Sequence, residues 1–195
     1  MRIIFVRHGE TDWNLEGRVQ GNANVPLNRK GLEQAKRVAV RLKNEKIDAI
    51  YSSDLERARQ TANEIAKYHK AKVRCSKFLR ERKFGELEGM LNSGYKKIRD
   101  ESGLPKYLYR PPGGENYPDL QKRAEKFLAA IKKRPGQNIL VVSHGGVIRT
   151  FISVLTKKHI SLAPEIEQRN TAVNVIEIRR GSPPKVHCMN STEHL

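Results

Sequence analysis

Residues 138–143, NILVVS, form an unbroken apolar, β-branched run, and HGGVIRTFISVL then switches to helical periodicity without a spacer. A run of this length with no polar alternation predicts a strand covered on both faces, as in a parallel sheet. The same junction recurs twice: RIIFV (2–6) runs into RHGETDWN, whose polar residues can start a helix, and IDAIY (47–51) into SSDLERARQTANEIAKYH. Apolar strands that each feed straight into a helix predict an α/β fold, a three-layer sandwich whose mostly parallel central sheet carries helices on both faces.

The segments between these junctions fit that plan. From Asn28, a cap candidate, Leu32, Ala35, Val38, Ala39 and Leu42 share one helical face. After the second strand Ser53 and Glu56 have capping-box spacing, with Leu55, Ala58, Ala62, Ile65 and Ala66 on one face. VRCSKFL (73–79) is a weaker strand, RERKFGELEG reads as loop, and Leu91 to Arg110 as a short helix plus turn. PPGG marks a turn before a helix with Leu120, Ala124, Phe127, Leu128 and Ile131 on one side, PGQ separates that helix from NILVVS, and TAVNVIEIRR and KVHCMN read as two final strands. No repeat or linker interrupts the pattern. A chain of 195 residues, 37% of them hydrophobic, buries one full core, so residues 1–195 are expected to form a single domain.

Lysine and arginine outnumber aspartate and glutamate by 38 to 21, a formal charge of +17. Such an excess favours anionic partners. The cations are spread among acidic residues with no nucleic-acid-binding signature, so most are read as solvated helix faces and a nucleic-acid partner is not favoured. Cys75 and Cys188 are the two cysteines, too few for a disulfide framework and read as plain core or strand residues of a protein in a reducing compartment. Arg2 precedes four apolar residues, too few for a signal peptide, and no run has the length of a membrane span; a soluble, cytoplasmic protein with no membrane partner is expected. Oligomeric state is left open, a homodimer included.

In open α/β sheets ligands bind at the carboxyl ends of strands, where the following helices present their N-termini. The first strand ends at Arg7 and His8, the second leads through SSDLE to Arg57 and Arg59, and the third ends at Ser143 and His144. A lone histidine is more often structural than catalytic, and an arginine in a first helical turn usually faces water. Two strands that each deliver a histidine followed by glycine are harder to dismiss, because glycine lets the backbone approach a bound group and frees amides to bind it. Together they predict an anion site. A neutral histidine, with an unperturbed pKa of about 6.5, attacks phosphorus without a separate base, and neighbouring arginines favour that neutral form. At an effective dielectric near 20, a charge pair about 4 Å apart is worth roughly 4 kcal/mol, so each arginine favours a phosphoryl group strongly. Nothing in this chemistry requires a metal or a cofactor. Arg57 lies off its helix's apolar stripe and can reach the rim; Arg59 falls nearer the stripe, where an internal pair is expected. Glu81, Glu86 and Glu88 are all competent acids, and the residues alone do not rank them.

RHGET followed by WN, RVQG with PLNRKG, SSDLERARQTA, LRERKFGELEG, PPGGEN and VVSHGGVIR, in that order, resemble the signature blocks of the histidine phosphatase superfamily, the phosphoglycerate mutase-like family. The resemblance spans nearly the whole chain. It implies that His8 is the nucleophile that becomes phosphorylated, that Arg7, Arg57 and His144 hold the phosphoryl group, and that Glu81 protonates the leaving oxygen. Asn14 resembles a further phosphoryl-pocket residue, and Gln20, Gly21 and the backbone of Gly145 parts of the pocket wall. The implied activity is a metal-independent phosphomonoesterase acting on a small phosphorylated metabolite; relatives act on sugar phosphates, phosphoglycerates, phosphoserine and a cobalamin precursor.

Mutases of this family carry ERHYG where this chain has Glu81, Arg82, Lys83, Phe84 and Gly85, followed by an insertion with paired arginines that grip a carboxylate. Neither the paired arginines nor the extra length is present here, and Gln20 and PPGGEN look more like the phosphatase branch, which leaves a phosphoglycerate mutase as runner-up. A metal-dependent hydrolase built on His8, His144 and Glu81 carries little weight, since two arginines repel a cation. A basic nucleic-acid binder would betray itself by steep salt dependence. Lys83, Lys96, Lys97 and Arg110 lie near the segment expected to cover the pocket, where they suit an additional negative charge on the substrate or serve only as surface lysines and arginine.

Overall fold

Apolar runs buried on both faces pack into a central sheet whose pleat divides one hydrophobic sequence between two cores. The computed structural model describes residues 1–132, 137–179 and 181–195. The elements are β1 (Arg2–Arg7), α1 (Asp12–Leu15), α2 (Arg29–Leu42), β2 (Ala49–Ser52), α3 (Glu56–Ala66), β3 (Val73–Cys75), α4 (Asn92–Glu101), α5 (Tyr117–Lys132), β4 (Asn138–Ser143), α6 (Gly145–Leu155), β5 (Val173–Glu177) and β6 (Lys185–Ser191). Of the expected punctuation, Pro135 and Gly136 of PGQ and Arg180 of the fifth strand segment lie outside the described residues.

The strand order is β3-β2-β4-β1-β5-β6. β1, β4, β2 and β3 run parallel, and β5 and β6 add an antiparallel margin beside β1. Successive side chains of a strand point to opposite faces. Ile3, Phe5, Tyr51 and Val141 therefore pack with α5 and α6, while Ile4, Val6, Ile50, Leu140 and Val142 pack with α2 and α3. This is the expected mostly parallel three-layer arrangement. Arg7 stands beside Ser143 in the ladder and Ser52 beside Val142, which brings the carboxyl ends of the three central strands to one rim. Cys75 lies exposed on β3 and Cys188 half-buried on β6, both strand residues. Among the described residues no helix is long and apolar enough to cross a membrane.

Two helix starts differ from the periodicity. Asn28 does cap α2, its side chain accepting from Gly31 N–H at 2.8 Å, but Leu32 is exposed and Gly31 takes the packed position. The reason is a close backbone approach: a Cβ on Gly31 would fall 2.0 Å from the Glu10 carbonyl oxygen, and one on Gly9 2.4 Å from the Gly31 carbonyl oxygen. Gly9 is thus small for the sake of packing against α2 rather than for a ligand, and its amide is used by Thr61 Oγ1 at 3.1 Å. The capping box at Ser53 and Glu56 does not form. Ser53 N–H still donates to Val142 in the sheet ladder, so α3 starts later, with Leu55 at the cap position and Glu56 N–H donating to Asn24 Oδ1 at 2.8 Å.

Gly31→Ala is expected to lower the free energy of urea unfolding by about 1–3 kcal/mol through overpacking, whereas Leu32→Ala changes it by about 0.5 kcal/mol or less. Equal losses at the two positions would contradict this placement of the helix face.

Candidate active site

The rim formed by β1 and β4 carries two buried imidazoles. His8 follows β1 directly, its N–H donating to the Ser143 carbonyl at 3.0 Å, and His144 follows β4 as the residue before α6. Their ring centroids are 5.1 Å apart. The Nδ1 of His8 lies 2.7 Å from the Gly9 carbonyl oxygen. A carbonyl only accepts, so Nδ1 carries the proton and the lone pair is on Nε2. Burial, then Arg57, then Arg7 hold the His8 pKa well below the usual histidine value, against the opposing pull of the Gly9 carbonyl. The His144 pKa is lowered in the same sense, first by burial and then by Arg57, His8 and Arg7, and neither of its ring nitrogens has a partner among the described residues.

The two arginines arrive from different elements. Arg57, on α3, has no exposed surface; its Nη1 donates to the Ala23 carbonyl at 2.7 Å and its Nη2 to the Gly21 carbonyl at 2.8 Å. Gly21 takes φ +51° in the turn that presents these carbonyls. Arg7 donates from Nη1 to the Gln168 carbonyl at 2.7 Å. In both guanidiniums Nε is buried and has no partner among the described residues. Burial pushes each arginine down to about 10, with Glu81 pulling the other way, so both stay charged at neutral pH. Arg59, expected to pair internally, instead lies half out in solvent beside Glu56 at 3.6 Å. The helix rotation that turns Arg57 inward turns Arg59 out.

The three acids stand in different places. Glu81 Oε2 accepts from Gly146 N–H at 3.1 Å and Oε1 from Arg82 N–H at 2.8 Å, which sets the carboxylate against the start of α6. A Cβ on Gly146 would fall 2.6 Å from Glu81 Oε1, so a side chain there would displace the carboxylate from this position. Glu88 is a loop brace, accepting from Asn22 and Phe84 amides at 3.0 Å each, and Glu86 is exposed.

The remaining candidates lie around this group. The Asn14 side chain completes a capping box with Thr11 at α1, as the polar start of that helix suggests, and its Oδ1 also accepts from Asn170 at 3.2 Å. Gln20 is buried, and its Oε1 has no partner among the described residues. Gly145 begins α6, where an added Cβ would lie 3.8 Å from Arg7 Nε and 4.0 Å from Glu81 Oε2. A cavity of about 380 Å³ opens from Arg7, Glu81 and Gly145 and is walled by Arg82, Tyr95 and Arg149. Of the four cations expected near its cover only Lys96 lines it; Lys97 stands by Glu101 at 4.0 Å, Arg110 pairs with Asp119 at 2.6 Å, and Lys83 is exposed elsewhere. Sequence reasoning missed Arg82, Arg149 and Asn170. Arg149 carried a usable signal, since it follows Gly145 by one helical turn on the same face. Among the described residues no three His, Cys, Asp or Glu side chains stand close enough to hold a metal ion.

Residues 3–192 match the model of the histidine phosphatase superfamily (branch 1). The chain belongs to the histidine phosphatase superfamily. Similar members include phosphoglycerate mutase-like protein 4 of Arabidopsis thaliana, 40% identical over 99% of this chain and 86% of the relative. A metal-independent phosphoserine phosphatase of the same plant is 40% identical over 91% of this chain and 76% of its own. Among solved histidine phosphatase structures, a mutant phosphoserine phosphatase from Entamoeba histolytica in complex with phosphoserine superposes with a TM-score of 0.84 at 30% identity, covering 100% of this chain and 98% of that one.

The buried histidines make the stability of this histidine phosphatase depend on pH. His8, His69, His144 and His194 all have lowered pKa values. As pH falls the unfolded chain therefore takes up these protons first, and stability is lost from about pH 6.5 downward. Each fully buried ring contributes a slope of up to about 1.4 kcal/mol per pH unit. His8→Gln is expected to flatten the unfolding free energy between about pH 5 and 6.5 by about that amount; an unchanged slope would contradict a buried neutral ring.

Proposed function

We propose that this chain is a phosphomonoesterase that works through phosphorylated His8 on a small phosphorylated metabolite. The observation that carries the reading is the fixed tautomer of His8: Nδ1 is committed to the Gly9 carbonyl, so Nε2 carries the lone pair, and two buried arginines close enough to lower the His8 pKa keep the ring neutral. Nε2 attacks phosphorus, the bond from phosphorus to the ester oxygen breaks, and a proton from Glu81 goes to the departing alcohol. Water then attacks the phosphohistidine and gives its proton to Glu81, while the phosphorus–nitrogen bond breaks and returns its electron pair to Nε2. Arg7, Arg57 and His144 hold the charge that moves during both transfers, with the unpartnered Nε atoms of the arginines among the donors. Asn14, Gln20, Gly21 and Gly145 complete the pocket wall in this reading.

The cavity of about 380 Å³ lies at the small end of ligand pockets, which run from about 300 to 1,000 Å³, and suits a compact metabolite. The reading treats residues 1–195 as one cytoplasmic catalytic domain, in keeping with one continuous sheet and two unpaired cysteines. A phosphoglycerate mutase is the second reading, supported by the similarity to phosphoglycerate mutase-like protein 4 of Arabidopsis thaliana.

Rapid acid quench after mixing with O-phosphoserine or 3-phosphoglycerate, followed by mapping of acid-labile phosphate, tests the intermediate. Label on His8 and loss of turnover in His8→Ala are expected, and full activity in His8→Ala would sink the reading. Glu81→Gln should lower turnover about 10²- to 10⁴-fold. With 3-phosphoglycerate, release of inorganic phosphate marks the phosphatase, and bisphosphoglycerate-dependent formation of the 2-isomer marks the mutase.

A further inference from the structure

Residues 168–171 touch three of the candidate site residues at once. The Gln168 carbonyl accepts from Arg7 Nη1 at 2.7 Å, and Thr171 N–H donates to the His8 carbonyl at 3.3 Å. Between them, Asn170 Nδ2 donates to the same His8 carbonyl at 3.0 Å and to Asn14 Oδ1 at 3.2 Å.

The two amides can face only one way. A backbone carbonyl accepts and never donates, so the end of Asn170 against His8 is its NH2 group, and what that group meets on Asn14 has to be an acceptor. Thr11 N–H, which donates to Asn14 Oδ1 at 3.2 Å, makes the same demand independently. A half-turn of the Asn14 amide would set its NH2 against both donors. Asn14 Oδ1 is thereby taken up inside the protein, and Nδ2 is the end of that amide left without a partner among the described residues.

Asn170 is itself held in a strained turn. Ala172 N–H closes the turn on the Arg169 carbonyl at 3.1 Å, and Thr171 takes φ +53°. A β-branched residue adopts that left-handed conformation only where its surroundings impose it. Here they belong to residues 190–194. Asn190 Oδ1 accepts from Arg169 N–H at 2.8 Å, and His194 Nε2 stands 3.0 Å from Thr171 Oγ1. That hydroxyl gives its one hydrogen to the Asn170 carbonyl at 2.8 Å, so the imidazole is the donor to it. The other ring nitrogen then carries the lone pair, and it is this Nδ1 that Arg41 Nη1 approaches at 3.3 Å. Each polar group of the brace has one consistent role, and Thr171 has no exposed surface within it.

We infer that Asn170 is a positioning residue that turns the Asn14 amide so that its N–H is presented to the phosphoryl group, and that His194 holds Asn170 in place through Thr171. The inference rests on the phosphatase reading, which puts Asn14 in the pocket. A wrongly turned Asn14 would offer an oxygen to an anion, so what is at stake is one hydrogen bond to a charged group.

The test measures, for variants of the full chain, kcat/KM with p-nitrophenyl phosphate and inhibition by inorganic phosphate, with thermal unfolding alongside. Asn170→Ala is expected to lower kcat/KM and weaken phosphate inhibition about 10- to 100-fold. In an Asn14→Ala background the same substitution is expected to lose most of its effect, because nothing is left for Asn170 to orient. His194→Leu should lower kcat/KM about 2- to 10-fold, and His194→Gln, whose amide supplies an N–H in place of Nε2, should recover most of that loss. If Asn170→Ala does not fold, the His194 variants carry the test, again with and without Asn14→Ala. Equal losses in the two backgrounds, or unchanged activity in Asn170→Ala or in His194→Leu, overturn the positioning role while the phosphatase reading stands. No hydrolysis of p-nitrophenyl phosphate, O-phosphoserine or 3-phosphoglycerate by the unaltered protein overturns the phosphatase reading and this inference with it.

Discussion

A guanidinium with no exposed surface has to be supplied with acceptors by the protein, and the layout of this molecule follows from how Arg57 is supplied. Its two terminal nitrogens are held by the carbonyls of Gly21 and Ala23. The loop that carries those carbonyls is in turn tied down by Asn24 to the start of α3, by Leu27 N–H to Gln60, and by Asn22 N–H to Glu88. Because all of these acceptors are neutral or distant, the charge of Arg57 is solvated without being cancelled. It remains available to an incoming anion and keeps protons off both histidines.

The sheet supplies what the loops cannot, a fixed distance between the two histidines of the candidate site. β1 and β4 are hydrogen-bonded neighbours in register up to Arg7 and Ser143, so the two histidines leave the sheet at the same level. Their surroundings are packed on both faces, and Gly9 lies so close to Gly31 that α2 limits how the strand end can shift. Preorganisation of this kind lets a site stabilise developing charge without rearranging at the moment of reaction.

Most of this frame was legible in the chain. Strand positions followed from apolar continuity, the helix faces of α3 and α5 from their period, and His8, His144 and Arg57 from the rule that strand ends carry ligands. What escaped depended on tertiary contact. Leu32 fits the apolar period of α2, yet the backbone of Glu10 claims the face for Gly31. Ser53 has the chemistry of a cap but is still engaged in the ladder with Val142. Glu81, Glu86 and Glu88 are alike as residues, and only the fold puts one against the α6 amide, one in a loop brace and one in water. The cations of the cavity were misjudged for the same reason. Lys83, Lys97 and Arg110 are near Glu81 in sequence, while Arg149 comes from α6, far from it in the chain.

Glu81 is anchored differently from His8. The histidine belongs to the sheet; the glutamate stands on an irregular segment pinned by the Gly146 amide and by Arg123 of α5, which donates to the carbonyls of Phe78, Arg80 and Glu81. The two histidines and the Glu81 carboxylate are therefore built on separate supports, one the sheet and the other an irregular segment. Residues of the irregular segment can therefore change while the sheet keeps Arg7 and the two histidines in place. A library of variants confined to that segment would explore the substrate repertoire by the same route.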